Sequence, residues 1–165
     1  MAHYAGGMAE HPRDDVRWLT PAEKDGWTGL ASLVLLLPGR FEAPLQREHG
    51  LTLFDYLTLS QLSEADGGRL RMSDLAYLAN GSLSRLSNVV KRFEGRGWVE
   101  RMPDPDDGRY TLVALTADGR RVVEAAAPTH VEAVRREALD HLTGAEQATL
   151  ARIAERLRVR PEDHS

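Results

Sequence analysis

Two prolines, three aspartates and one glycine make up the six residues Pro103-Asp104-Pro105-Asp106-Asp107-Gly108. No helix carries that composition through its interior, so this stretch dictates the local fold. Trp98-Val99 before it and Tyr110-Thr111-Leu112-Val113 after it can both run extended. The segment from Glu100 to Thr116 therefore reads as a two-stranded ribbon with a polar, projecting tip. Asp107-Gly108 is predicted to be the hairpin turn, since both turn positions accept positive φ. Arg109 follows at once, a single cation set among acids.

Elsewhere the pattern is helical. Thr20-Pro21-Ala22-Glu23 is a capping box with proline in the first turn. The helix it opens carries Trp27, Leu30 and Val34, and Pro38-Gly39 is predicted to kink or split it. A second piece should run to His49 and end at Gly50 as a left-handed cap. Thr52 with Asp55 opens the next helix, which carries Phe54, Leu57, Gln61 and Leu62 to about Ala65 before Asp66-Gly67-Gly68 breaks it. Arg69-Leu70-Arg71 is a candidate strand for the ribbon. Ser73 is predicted to cap a brief helix with Leu75, Ala76, Leu78 and Ala79 on one face, followed by a tight turn at Asn80-Gly81.

The helix that starts near Ser82 or Leu83 carries the most chemistry. Leu83, Leu86, Val89, Val90 and Phe93 fall within about 120° of arc at helical spacing. Ser84, Arg85, Asn88, Lys91 and Arg92 fill about 120° on the opposite side, with no acid among them. A solvated helix face ordinarily mixes both signs, whereas Arg, Lys, Asn and Ser are the donors that read base edges and hold phosphates. The net charge of −4 speaks against nucleic acid only as an average. The window from Arg69 to Arg101 holds seven Lys/Arg against Asp74, Glu94 and Glu100, a local +4, so the charge is segregated along the chain. A short helix, a tight turn, a basic-faced helix and a hairpin follow in the order of a winged helix-turn-helix. In that arrangement the second helix enters the major groove and the ribbon reaches the adjacent minor groove. Arg109 is then the groove-probing charge, with Asp107 placed to hold its guanidinium.

From Gly50 to Gly119 the chain resembles the MarR-type transcriptional regulators. The likeness lies in Gly50-Leu51-Thr52, in "LRMSDLA", in "SLSRLSNVVKRFEGRGWVER" and in "DPDDGRYTLVALTADG". Gly97, the Asp-x-Arg wing and the Leu-Thr-x-x-Gly that follows are specific in combination. The resemblance implies a mainly α fold with a small β-wing, a winged helix-turn-helix core flanked by N- and C-terminal dimerisation helices. It implies an obligate homodimer that represses transcription and responds to a small, often aromatic or phenolic effector. Carried onto this sequence, the DNA-binding residues are Ser82, Ser84, Arg85, Asn88, Lys91, Arg92, Asp107 and Arg109. Trp27, His49, Phe54 and Tyr56 stand where an effector pocket is expected. Pro38 and Pro128 depart from the pattern of long helices and predict bends there.

The expected organisation is a disordered tail over residues 1–17, N-terminal dimerisation helices over 18–50, the DNA-binding domain over 51–116 and C-terminal dimerisation helices over 117–165. Thr116 can cap a helix that carries Val122, Val123, Ala126, Val131, Val134, Ala138 and Leu142. Thr143-Gly144-Ala145-Glu146 is a further capping box, and Leu150, Ile153 and Leu157 behind it form a stripe suited to a dimer interface.

Other classes find less support. There is no cysteine, so disulfides and thiolate metal sites are excluded. No nucleophile-elbow, phosphate-loop or dinucleotide motif is present, and the expectation is a non-enzyme without cofactor. His130 and His141 lie eleven residues apart near Asp140, but no paired metal-ligand spacing occurs. The longest apolar run, Leu33 to Leu37, is far too short for a membrane span and no signal peptide is visible, so a cytoplasmic place is expected. The rival reading is a winged helix used only for protein contacts, which has no need of an acid-free helix face.

Overall fold

The computed structural model describes residues 16–157. The expected tail over residues 1–17 lies outside them except for Val16 and Arg17, which are irregular. Two compact units divide the chain after Leu35. Helix α1, Pro21–His49, begins in the first of them. There the capping box is made: Thr20 N–H donates to Glu23 Oε2 (2.8 Å) and Glu23 N–H to Thr20 Oγ1 (3.3 Å). Trp27, Leu30, Leu33, Val34 and Leu35 are all exposed.

α1 runs to His49 as one helix with Pro38 and Pro44 inside it, so Pro38-Gly39 does not split it. A proline deletes its own N–H bond, and here the bonds on either side carry the helix past it. Gly50 closes α1 in the left-handed region (φ 66°), as the sequence predicts.

The second unit carries helices α2 (Leu53–Glu64), α3 (Met72–Leu78), α4 (Leu83–Gly95), α5 (Ala117–Glu137) and α6 (Gly144–Leu157). Strands β1 (Arg69–Arg71), β2 (Val99–Pro103) and β3 (Thr111–Leu115) form one antiparallel sheet in the order β1-β3-β2. The Thr52–Asp55 capping box opens α2, with both reciprocal bonds present. Ser73 does not cap α3. That helix starts at Met72, directly after Arg71, because pairing of Arg71 with Leu112 in the sheet decides where the extended chain ends. Leu45, Leu51, Leu59, Leu62, Leu75, Leu86, Val90, Phe93 and Val113 are fully buried and make the core.

Two joints hold α4 against the ribbon. α4 ends in a Schellman motif: Gly97 N–H donates to Glu94 O and Trp98 N–H to Phe93 O, both at 2.9 Å, with Gly97 at φ 70°. Thr116 then caps α5, and its hydroxyl donates to Gly97 O at 2.7 Å. A Cβ at Gly119 would lie 2.1 Å from Trp98 O, so only glycine lets α5 start this close to β2. α5 continues through Pro128 but stops at Glu137, short of Ala138 and Leu142. A 3₁₀ turn, Leu139–His141, intervenes before α6. Thr143 and Glu146 make the capping box of α6, which buries none of its residues.

Candidate nucleic-acid interface

α4 is strongly two-faced. Leu86, Val89, Val90 and Phe93 are buried, and Ser84, Arg85, Asn88, Lys91 and Arg92 are exposed on the other side. Ser82 is the N-cap, its hydroxyl accepting the Arg85 N–H at 3.2 Å. Leu83 departs from its expected place in the core: in the first turn of α4 it lines the groove beside the wing loop and is 55% exposed.

The five polar residues are not equivalent. Arg85 lies with its guanidinium 4.1 Å from the centroid of the Phe54 ring, and Phe54 in turn fills the space that a side chain at Gly81 would need. Arg92 is paired with the buried Asp55 carboxylate, the same group that caps α2. Ser84, Asn88 and Lys91 remain on the outer face without such ties to α2. Glu94, the acid of α4, is paired with Arg101 (2.9 Å), whose guanidinium also donates to Ser87 O at 3.4 Å.

The ribbon differs from its predicted turn. Neither Asp107 nor Gly108 has positive φ. The strands are joined instead by the loop 104–110, closed by Asp104 N–H to Tyr110 O and Tyr110 N–H to Asp107 O, both 3.0 Å. Asp104 is only 5% exposed, and Arg71 Nε donates to its Oδ2 at 2.6 Å. A buried carboxylate already held by a cation takes over from a two-residue turn. Arg109 makes a fork on Asp107, Nε to Oδ1 at 2.9 Å and Nη2 to Oδ2 at 2.7 Å, as the sequence predicts. That fork holds the Asp107 carboxyl below its ordinary range. The Arg109 side chain is still 85% exposed.

Between α4 and the loop runs an open groove of about 450 Å³, lined by Met72, Ser73, Leu83, Ser87, Arg101, Arg109, Tyr110 and Thr111. Sequence reading missed Arg101, Ser73 and Ser87 as members of this surface. The basic window contains Arg101, but only the turn of β2 beside α4 brings it to the groove.

His49, Phe54 and Tyr56 face three different surroundings. His49 Nε2 lies 3.0 Å from Thr129 Oγ1, at a groove shared with Trp98, Asp118, Arg121, Val122 and Ala125. Phe54 is a wall of another hollow with Pro38, Glu42, Leu57, Asn80 and Arg85. Tyr56 is buried and packs against His130 at 4.4 Å between centroids. Residues 54 and 56 are about 200° apart around a helix, so they cannot share a wall. Trp27 belongs to the N-terminal unit and is exposed. His130 Nδ1 is buried with no hydrogen-bonding partner, and burial lowers its pKa. His141 lies apart from it, bonded to Arg136 O. Leu150 and Ile153 of α6 are about half exposed and Leu157 more so.

Residues 51–111 match the family model described as the MarR family. The curated "Multiple antibiotic resistance protein MarR" of Salmonella typhimurium is 34% identical over 77 residues, which cover 47% of this chain and 54% of that protein. The chain thus spans about half the length of this relative. "HTH-type transcriptional repressor Rv2887" of Mycobacterium tuberculosis is 32% identical over 108 residues, 66% of this chain and 76% of that one. Among solved structures, Sco3205, a MarR family transcriptional regulator from Streptomyces coelicolor in complex with DNA, aligns with a TM-score of 0.80 at 38% identity. It covers 87% of this chain, which covers 90% of it in return. The winged-helix geometry, the Asp107–Arg109 fork and these relatives agree: the chain belongs to the MarR family.

Proposed function

We propose that this protein is a sequence-specific double-stranded DNA-binding transcriptional regulator that acts as a homodimer on an inverted-repeat operator. The observation that carries the reading is the exposed, acid-free outer face of α4 beside a loop that presents Arg109. In this reading Arg85 and Asn88, early in α4, approach base edges, and Ser82, Ser84 and Lys91 serve the phosphates. Arg92 braces α4 through Asp55 and reaches phosphate only with its outer nitrogens, while Asp107 aims Arg109 into the minor groove. The DNA-bound Streptomyces coelicolor relative supports the partner, and the Mycobacterium tuberculosis repressor supports the direction of control. A small aromatic or phenolic effector is the proposed releasing signal. The reading includes no catalytic step and places the protein in the cytoplasm. No helix among the described residues is long and apolar enough to cross a membrane.

The dimer is proposed through Leu150, Ile153 and Leu157, since α6 carries an apolar stripe and buries none of it. Selection of bound duplexes from a random pool tests the whole reading. Enrichment of a two-fold symmetric site with half-sites about one helical turn apart is the expected result, with affinity falling steeply in salt. A pool that yields no enriched site, with no salt-dependent shift, leaves the protein-contact use of the fold in its place.

A further inference from the structure

We infer that Arg71 is a positioning residue for the wing: its grip on Asp104 and Tyr110 sets where the loop presents Arg109. The inference rests on the DNA-binding reading above. Arg71 ends β1 and is opposite Leu112 on β3, so its backbone belongs to the sheet and not to the loop. Its Nε donates to Asp104 Oδ2 at 2.6 Å, where the loop begins. The guanidinium carbon also lies 4.4 Å from the centroid of the Tyr110 ring, where the loop ends. One side chain anchored in the sheet therefore holds both ends of the wing.

The links continue to the tip. Asp104 Oδ1 accepts the Asp106 N–H at 2.9 Å, Tyr110 N–H donates to Asp107 O at 3.0 Å, and Asp107 carries the fork to Arg109. Arg109 itself is mostly in solvent, so its placement depends on that chain of contacts. Electrostatics add to the geometry. A loop with Asp104, Asp106 and Asp107 would repel phosphates, and pairing of Asp104 with Arg71 and of Asp107 with Arg109 removes two of the three uncompensated charges. Arg71 lies on an edge strand and is itself partly exposed, so its loss opens no cavity in the apolar core, although it leaves the buried Asp104 carboxylate without its cation.

A double-mutant cycle on the duplex that the wild-type protein selects from a random pool separates positioning from support of the fold. Arg71→Gln is expected to weaken binding about tenfold, but less than about twofold in an Arg109→Ala background, because the coupled pair acts through one wing. Hydroxyl-radical footprints should lose their flanking protection and keep the centre. Arg71→Lys should recover only part of the affinity, since a point charge replaces a planar, stacking fork. Should Arg71→Gln fold poorly, Tyr110→Leu removes the stacking alone and is expected to cost about threefold, again only when Arg109 is present. Wild-type affinity for Arg71→Gln, or equal losses with and without Arg109, overturns this inference alone. A pool that yields no enriched duplex overturns the DNA-binding reading and this inference with it.

Discussion

Residues 51–116 and helix α6 are built from similar apolar periodicities but end in opposite states. In the first, Leu51, Leu59, Leu62, Leu75, Leu86, Val90, Phe93 and Val113 are removed from water completely. In α6 the stripe of Leu150, Ile153 and Leu157 is left about half exposed or more, and the helix buries nothing. An apolar stripe thus specifies a need for a partner surface, not where that surface is. Within the winged helix, α2, α3, α4 and the sheet meet each other's needs. In α6 the need is unmet within the described chain, which is the condition that association with a second copy would relieve.

Substitutions on each side of this contrast should behave differently. Phe93→Ala opens a cavity beneath α4 and is expected to cost about 3–5 kcal/mol of stability, read by urea denaturation at any protein concentration. A loss that depends steeply on concentration would show that the core is not self-sufficient. Ile153→Asp should leave the winged helix folded but convert the proposed dimer to monomer by light scattering. Specific DNA affinity should then fall about a hundredfold or more, as two linked half-site contacts become one. If the variant stays dimeric and binds DNA normally, the α6 stripe is not the interface.

Smaller effects are expected from substitutions inside the winged helix. Arg109→Ala is expected to weaken specific binding by about 1–3 kcal/mol with unchanged melting temperature. An unaltered affinity at physiological salt would remove the wing from recognition. The neighbours Lys91 and Arg92 should then part company. Lys91→Ala should reduce the salt slope of binding by about one unit without changing stability. Arg92→Ala should instead lower stability by about 1–2 kcal/mol, because buried Asp55 loses its charged partner. Identical behaviour of the two variants would mean that Arg92 acts at the phosphates alone and does not brace α4 through Asp55.

Capping was legible because it is local chemistry. Thr20 with Glu23, Thr52 with Asp55, Thr116 with Gly119 and Thr143 with Glu146 each act over three residues, and every one of these bonds is present. The Asp107–Arg109 fork, two residues apart, was legible for the same reason. The predicted turn at Asp107-Gly108 failed although its residues suit it. The loop is closed from outside by Arg71, thirty-three positions from Asp104, and no window around the turn contains that arginine. Ser73 lost its predicted cap to strand pairing in the same way.

From sequence alone came the two-faced α4, the cap at Gly50 and the ribbon, all properties of short-range spacing and stereochemistry, and, on its motifs, the resemblance to the family. Only the tertiary structure divided the cations of α4 into those that reach solvent freely and those already engaged. Arg92 is held by Asp55, thirty-seven positions away, and Arg85 rests on Phe54. It also separated His49, Phe54 and Tyr56 into different surroundings and left Leu83 outside the core. The physical reason is the range of the forces: backbone preference and capping decide within a few residues, whereas burial and charge pairing depend on which distant segment packing brings alongside.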